Sequence, residues 1–137
     1  IVSQILTNNG EVNLGNISPT RDFTFVEDTC GAFESIIGCN KLIGEEVNIG
    51  TNSEISIRDL VEEISNIIGI EAKIVEDDQR MRAEKSEVDR LVCKNEKLLA
   101  CTSWKPKHSL EQGLIKTIDW IKKVDSDKLK NMSQYNV

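Results

Sequence analysis

Arginine side chains are the groups in this sequence best suited to bind a ligand. Arg21 follows a proline-containing loop at the start of a predicted strand, and Arg80 and Arg82 lie in a charged stretch without apolar periodicity. The planar guanidinium donates paired hydrogen bonds to phosphate. Two such arginines could clamp a diphosphate while Glu84 or Glu87 accepts hydrogen bonds from ribose hydroxyls. The spacing leaves open that these are ordinary solvated loop arginines.

Other kinds of catalytic or metal site have little support. The only histidine, His108, stands beside a predicted helix cap, and we interpret it as a solvated turn residue. The eight glycines form no dinucleotide-binding loop, and the four cysteines lack the C-x-x-C spacing of a zinc site. We interpret the cysteines as buried, reduced thiols, with a disulfide framework as the alternative. Trp104 and Trp120 are predicted to be core residues.

Charge and composition indicate a folded, soluble protein that does not bind nucleic acid. The net charge is −6. Positions 1–75 hold 12 acidic and four basic residues, a charge of −8, and positions 76–137 hold 11 acidic and 13 basic residues, a charge of +2. An acidic half is unfavourable for general nucleic-acid binding. The apolar runs are too short to span a bilayer, and no secretory signal is recognisable. We therefore expect a cytoplasmic protein without a membrane partner.

The elements that would position the arginines alternate between short strands and helices, which predicts an α/β or α+β fold. Apolar residues at helical spacing predict helices at residues 1–7, 27–37, 57–68, 95–101 and 109–124. Alternating apolar residues predict short strands at residues 11–14, 21–26, 47–50, 72–75 and 88–92. Ser56 with Asp59 and Ser109 with Gln112 resemble capping boxes. The charged stretch 76–87 is predicted to be an ordered loop.

The thin sheet and the missing initiator methionine indicate part of a longer protein. A length of 137 residues suits one domain with one core. Five strands of four or five residues would nevertheless leave large exposed sheet edges, which proteins normally pair or cover. We therefore expect further chain before residue 1.

An ordered set of motifs resembles the extended short-chain dehydrogenase/reductases that act on nucleotide sugars. R-D-F-T-F-V-E-D at residues 21–28 is similar to their R-D-[FYW]-x-x-V-x-D motif. V-N-L-G at 12–15, E-V-N-I-G at 46–50, I-S-I at 55–57 and W-K-P at 104–106 occur in the family order. R-M-R-A-E-K-S-E-V at 80–88 resembles the R-x-R-P-x-x-S-E-V stretch of bacterial 4,6-dehydratases of the legionaminic-acid type, with Ala83 in place of proline.

The resemblance implies roles for individual residues. Arg21 and Arg82 match arginines that contact the diphosphate of the substrate. Glu87, or as second choice Glu84, matches the acidic residue that binds the nucleotide ribose, and Leu14 matches a strand position near the base. The family's NAD fingerprint and its Y-x-x-x-K catalytic pair would lie before residue 1. No catalytic, cofactor-binding or metal-binding residue is therefore expected in this chain.

The function implied by the resemblance is nucleotide-sugar binding within a larger NAD-dependent enzyme. Residues 1–124 would form the C-terminal substrate-binding lobe with the last elements of a Rossmann-type sheet, followed by a polar tail at 125–137. A nucleotide-sugar 4,6-dehydratase is the first expectation, a 4-epimerase of the same family the second, and a non-catalytic binding or oligomerisation module the third. The expected partners are a nucleotide-diphosphate sugar, an upstream Rossmann domain of the same protein and a second subunit in a homodimer. NAD would bind the full-length enzyme but not this chain alone.

Overall fold

Helices and short strands alternate along the chain, which confirms the predicted mixed α/β fold. The computed structural model describes residues 1–81 and 87–124. Its helices are α1 (Val2–Thr7), α2 (Val26–Ile37), α3 (Ile57–Ile68), α4 (Glu96–Cys101) and α5 (Leu110–Ile121). Its strands are β1 (Glu11–Leu14), β2 (Thr20–Arg21), β3 (Ile55–Ser56), β4 (Lys73–Glu76) and β5 (Arg90–Leu91). Short 3-10 helices occupy Asn40–Leu42 and Asp78–Arg80.

The chain divides into two compact units, whereas the sequence led us to expect one core. Of the described residues, the first unit contains 1–19, 56–81, 87–89 and 114–124, and the second contains 20–55 and 90–113. Hydrophobic periodicity shows which face of an element is buried but not which elements bury it together. The expectation of one core came from the chain length, which does not show how the elements group either.

The first unit is organised around the parallel pair of β1 and β4. Their register runs from Glu11 opposite Lys73 to Leu14 opposite Glu76. The buried side chain of Gln4 in α1 lies at the other edge of β1, where its Oε1 accepts from Asn13 N at 2.6 Å and its Nε2 donates to Asn13 O at 3.5 Å. An amide side chain thus satisfies backbone groups that a neighbouring strand would otherwise pair.

Helices α3 and α5 begin at the two predicted capping boxes. Ser56 Oγ accepts from Asp59 N at 3.0 Å and donates to Asp59 Oδ2 at 2.7 Å. Ser109 Oγ accepts from Gln112 N at 3.2 Å, and Gln112 Oε1 accepts from Ser109 N at 3.0 Å. Helix α3 ends at Gly69, whose φ of +77° favours glycine. These local signals predicted the bounds of α3 correctly.

The second unit has a small three-stranded sheet and a separate apolar core. β2 lies between β3 and β5 and runs parallel to β5, with Thr20 opposite Arg90 and Arg21 opposite Leu91. The core consists of Ala32 from α2, Leu98 from α4 and Trp104 from the turn before α5. Three partly buried residues pack against it: Ile36, Val47 and Ile49.

The predicted strand at residues 47–50 is wrong. Among the described residues this segment pairs with no neighbouring strand. Val47 and Ile49 pack instead against the core of the second unit, so their alternation reflects burial on one side rather than backbone pairing. The predicted strand at 21–26 is also shorter than expected, since β2 ends at Arg21.

Several side chains differ from the sequence interpretation. Trp104 is 7% exposed and confirms its core assignment, whereas Trp120 is 61% exposed and the core prediction for it is wrong. All four cysteines are free thiols, but Cys30 is exposed and the other three are only partly buried. No helix within 1–81 and 87–124 is long and apolar enough to cross a membrane. Arg82, Glu84 and the predicted tail 125–137 lie outside the described residues.

Candidate functional site

Arg21 is placed at the end of the central strand of the second unit. It is the last residue of β2, it is half-buried, and its Nη1 donates to the carbonyl oxygen of Thr20 at 2.7 Å. The backbone continues to bond to β5 beyond the strand, since Asp22 N donates to Leu91 O at 3.1 Å. The arginine therefore projects from a backbone segment that is held by its neighbours on both sides.

The carboxylate of Asp22 connects the residue after Arg21 to two other segments. Its Oδ1 accepts from Thr51 N at 3.0 Å and from Thr51 Oγ1 at 2.6 Å. Its Oδ2 accepts from Asn52 N at 2.9 Å and from Cys93 N at 3.2 Å. Burial and the nearby Asp22 charge raise the pKa of the Cys93 thiol. One side chain thereby fixes the end of β2 to the 51–52 loop and to the chain after β5.

A second carboxylate binds the residue before Arg21. Thr20 Oγ1 donates to Glu54 Oε2 at 2.6 Å, and the Arg90 guanidinium donates to Glu54 through Nη2 at 2.7 Å and Nε at 2.9 Å. The hydrogen bonds from Arg90 and Thr20 hold the pKa of Glu54 below its usual range. Arg21 is thus flanked along the chain by two residues that carboxylate contacts hold in place.

Leu14 is placed in the first unit, at the end of β1. It is half-buried, and its carbonyl oxygen accepts from Asp77 N at 2.9 Å. The next residue, Gly15, lies so close to the following loop that an added Cβ would be 2.3 Å from the Arg80 carbonyl oxygen. Only glycine allows this approach. Leu14 therefore lies beside the chain segment that leads to Arg82.

The remaining predicted residues are distributed over the first unit and the undescribed segment. The Arg80 guanidinium pairs with Asp77, with Nε 2.8 Å from Oδ2, so this arginine is engaged within its own loop. Glu87 is half-buried in the first unit. The roles of Arg82 and Glu84, and the convergence of all these residues on one ligand, stay predictions.

A cluster around His108 was missed by the sequence interpretation. The imidazole side chain is only 16% exposed, with Nδ1 3.1 Å from Asp28 Oδ1 and Nε2 3.5 Å from Glu27 Oε2. Its ring centroid lies 4.8 Å from that of Phe25. His108 is therefore not a solvated turn residue. Asp28 and His108 are 80 positions apart in the sequence, so no local sequence pattern could have predicted their contact.

Asp28 anchors the turn before α5. Its carboxylate accepts from Lys107 N at 3.0 Å and from His108 N at 3.1 Å. Burial by itself would raise the pKa of Asp28, yet the hydrogen bonds from Lys107 and His108 outweigh it and hold that pKa below its ordinary value. The cluster lines a cavity of about 350 Å³ together with Trp104. Its contacts are those of a structural anchor.

Among the described residues, Arg21 at the end of β2 could donate hydrogen bonds to an anionic ligand. Within the part of the chain that the structure describes, no group of three His, Cys, Asp or Glu side chains is arranged to hold a metal ion. A half-buried arginine at a strand end suits the binding and orientation of an anionic substrate.

Known proteins similar to this chain act on nucleotide sugars. The family model described as GDP-mannose 4,6 dehydratase matches residues 1–117. GDP-L-fucose synthase 1 of Arabidopsis thaliana is 34% identical over 107 residues, which cover 77% of this chain and 31% of that protein. GDP-6-deoxy-D-mannose reductase of Pseudomonas aeruginosa is 31% identical over 114 residues, which cover 82% of this chain and 36% of that protein.

The fold is also similar to that of solved enzymes. UDP-glucuronic acid 4-epimerase from Bacillus cereus, in complex with UDP-glucuronic acid and NAD, superimposes with a TM-score of 0.77 at 26% identity, over 89% of this chain and 38% of that one. This chain spans about a third of the length of its curated relatives, 31% of one and 36% of another. The family model covers most of the chain, and the relatives extend the match to dehydratases, epimerases and reductases. This chain therefore belongs to the GDP-mannose 4,6 dehydratase family, within the NAD-dependent extended short-chain dehydrogenase/reductases that act on nucleotide sugars.

Proposed function

We propose that this chain is the nucleotide-sugar-binding part of an NAD-dependent nucleotide-sugar 4,6-dehydratase. The observation that carries the proposal is the placement of Arg21, whose two sequence neighbours are held by the carboxylates of Asp22 and Glu54. A held arginine loses little freedom when it binds, so more of its hydrogen-bond energy remains for the substrate. Arg21 would donate to the diphosphate and fix its orientation.

The other roles in the proposal come from the motif resemblance. Arg82 would donate to the same diphosphate, Glu87 or Glu84 would accept from the ribose hydroxyls, and Leu14 would lie near the base. Interactions of this kind bind the ground state and the transition state alike, so they lower KM more than they raise kcat. The bond-breaking groups would come from a Rossmann domain of the same protein, in an enzyme that is a cytoplasmic homodimer.

NAD is the cofactor implied by the family, but the residues of this chain do not fit it. None of the eight glycines belongs to a G-x-x-G-x-x-G or G-x-G-x-x-G loop. We expect that calorimetry of this chain alone, at millimolar NAD, gives no binding heat, whereas the intact enzyme binds NAD. Binding by the isolated chain would show that it contains a cofactor site of its own.

Product analysis of the intact enzyme tests the reaction. GDP-mannose, UDP-glucose, UDP-glucuronic acid and dTDP-glucose would each be incubated with the enzyme and NAD. A 4-keto-6-deoxy sugar supports the dehydratase. An inverted C4 identifies a 4-epimerase, the alternative favoured by the similarity to the Bacillus cereus epimerase. A protein that neither converts nor binds any of the four would be a non-catalytic module, and the proposal would be wrong.

Replacement of Arg21 by alanine tests the binding role. In the intact enzyme we expect KM for the nucleotide sugar to rise about tenfold, equivalent to about 1.4 kcal/mol, because one charged donor pair to the diphosphate is lost. The kcat should change by less than about twofold. Arg82→Ala should act in the same direction.

Arg58→Ala is the matched control for this substitution. Arg58 is an exposed arginine in the first turn of α3. Its removal changes the net charge equally but should leave KM unchanged. An equal rise in both variants would indicate a general charge effect, and an unchanged KM for Arg21→Ala would remove Arg21 from the site.

A further inference from the structure

We infer that Asp22 is the positioning residue for Arg21, and that it sets the affinity for the substrate diphosphate without contacting it. This inference rests on the proposed binding role of Arg21. It assigns to Asp22 a function in ligand affinity rather than only in folding.

The Asp22 carboxylate accepts two hydrogen bonds at each oxygen. Oδ1 receives both Thr51 donors, at 3.0 and 2.6 Å, and Oδ2 receives the Asn52 and Cys93 amides, at 2.9 and 3.2 Å. Three of these four donors are backbone amides. Hydrogen bonds to an ionised acceptor are about twice as strong as neutral ones. The carboxylate therefore binds the residue adjacent to Arg21 to backbone 29 and 71 positions away.

Two further contacts near Arg21 are a short strand ladder and an exposed ion pair. β2 and β5 are two residues long, so their ladder can supply only a few hydrogen bonds. The Glu54–Arg90 pair on the side of Thr20 is solvent-exposed, with the Arg90 side chain 69% accessible. Exposed ion pairs contribute about 0–1 kcal/mol to stability, so this pair holds Thr20 less firmly than a buried contact would. Asp22 adds four hydrogen bonds to these contacts at the point where the chain leaves Arg21.

Gly50 provides the space in which this arrangement forms. A Cβ added at Gly50 would be 2.2 Å from Cys93 Cβ and 3.0 Å from Asp22 Oδ2. Any larger residue would push Cys93 or the carboxylate away. The glycine before Thr51 therefore allows the loop and the chain after β5 to approach the same carboxylate.

Asparagine in place of Asp22 keeps the shape of the side chain but removes part of its hydrogen bonding. The amide keeps the size of the side chain but offers one accepting oxygen, and its NH2 group would face two donors. One pair of hydrogen bonds is therefore lost whichever way the amide turns. Arg21 itself remains intact in this variant.

A double-mutant cycle in the intact enzyme tests the inference. Wild type, Asp22→Asn, Arg21→Ala and the double variant would be compared by calorimetric Kd for GDP, UDP and dTDP, and by KM for the sugar that is turned over. We expect Asp22→Asn to weaken binding of the preferred nucleotide about fivefold in the wild-type background and less than about twofold in the Arg21→Ala background. A residue with only a structural role would act equally in both.

Asp119→Asn is the matched control, since it makes the same chemical change at an exposed position of α5. Equal effects of Asp22→Asn in both backgrounds, or no effect in either, would overturn the inference while leaving the binding role of Arg21 intact. A normal Kd for Arg21→Ala would instead overturn the proposed site itself, and the inference with it.

A milder variant covers the case in which Asp22→Asn does not fold. Thr51→Val removes only the hydroxyl donor to Oδ1 and keeps the backbone amide. It should weaken nucleotide binding about twofold to threefold, again only when Arg21 is present. In folded Asp22→Asn, faster alkylation of Cys93, located by mass spectrometry, would report that the carboxylate contact has been lost, because Asp22 contributes to the raised pKa of that thiol.

Discussion

Replacement of Trp104 by alanine is expected to lower the free energy of unfolding by about 3–5 kcal/mol. Trp104 is 7% exposed and forms the core of the second unit with Ala32 and Leu98. Its Nε1 also donates to the Asp28 carbonyl oxygen at 2.9 Å, so the change removes a buried hydrogen bond as well as apolar contacts. Urea unfolding followed by circular dichroism would measure the loss, with an unchanged m-value showing that stability alone was altered.

Trp120→Ala is the control, because it removes the same side chain from an exposed position. Trp120 is 61% exposed, and substitutions at such positions usually change stability by less than about 0.5 kcal/mol. A loss as large for Trp120 as for Trp104 would contradict the assignment of the second core. A small loss for both would show that the Trp104 site relaxes around the smaller residue.

The two tryptophans show where sequence patterns are insufficient. Both were predicted to be core residues. Trp104 lies in the turn between α4 and α5 and is buried, whereas Trp120 lies in α5 and its side chain is exposed. Hydrophobic periodicity predicted α5 as a helix but did not indicate how much of the helix surface is buried against other elements.

Local signals predicted the elements best. Helix α3 has the bounds expected from the Ser56 capping box, its apolar face and the terminal Gly69. The segment at 47–50 has equally clear alternation but forms no strand among the described residues, because a strand needs a neighbour that periodicity does not specify.

Residue type and the R-D-F motif both single out Arg21 as a candidate site residue, and its role in binding stays a prediction. Neither indicates the hydrogen bonds that the aspartate of that motif makes. The bonds of Asp22 reach 29 and 71 positions along the chain, and those of Asp28 reach 80 positions. Contacts of such range depend on the packed fold, and a single sequence carries no local trace of them.

Asp28→Asn is expected to lower the free energy of unfolding by about 2–3 kcal/mol at neutral pH, because hydrogen bonds to a charged, buried acceptor are the costly ones to lose. The carboxylate is 3% exposed and accepts from Lys107 N, His108 N and, at 3.1 Å, His108 Nδ1. An asparagine NH2 would face at least one of these donors. Glu27→Gln is the control, since Glu27 is 60% exposed and 3.5 Å from His108 Nε2, and it should cost less than about 0.5 kcal/mol.

The pH dependence of the same variant supplies the second test. The pKa of Asp28 is held below its ordinary value of 3.8 by the Lys107 and His108 hydrogen bonds, which outweigh the effect of burial. The folded protein therefore binds this proton less readily than the unfolded chain, so the stabilisation is present above the ordinary pKa and is lost as the pH falls through the folded one. The difference in unfolding free energy between wild type and Asp28→Asn should be constant near neutral pH and narrow as the pH falls below about 4. A difference that stayed constant to the lowest pH would mean that the ionised form of Asp28 does not hold the turn before α5.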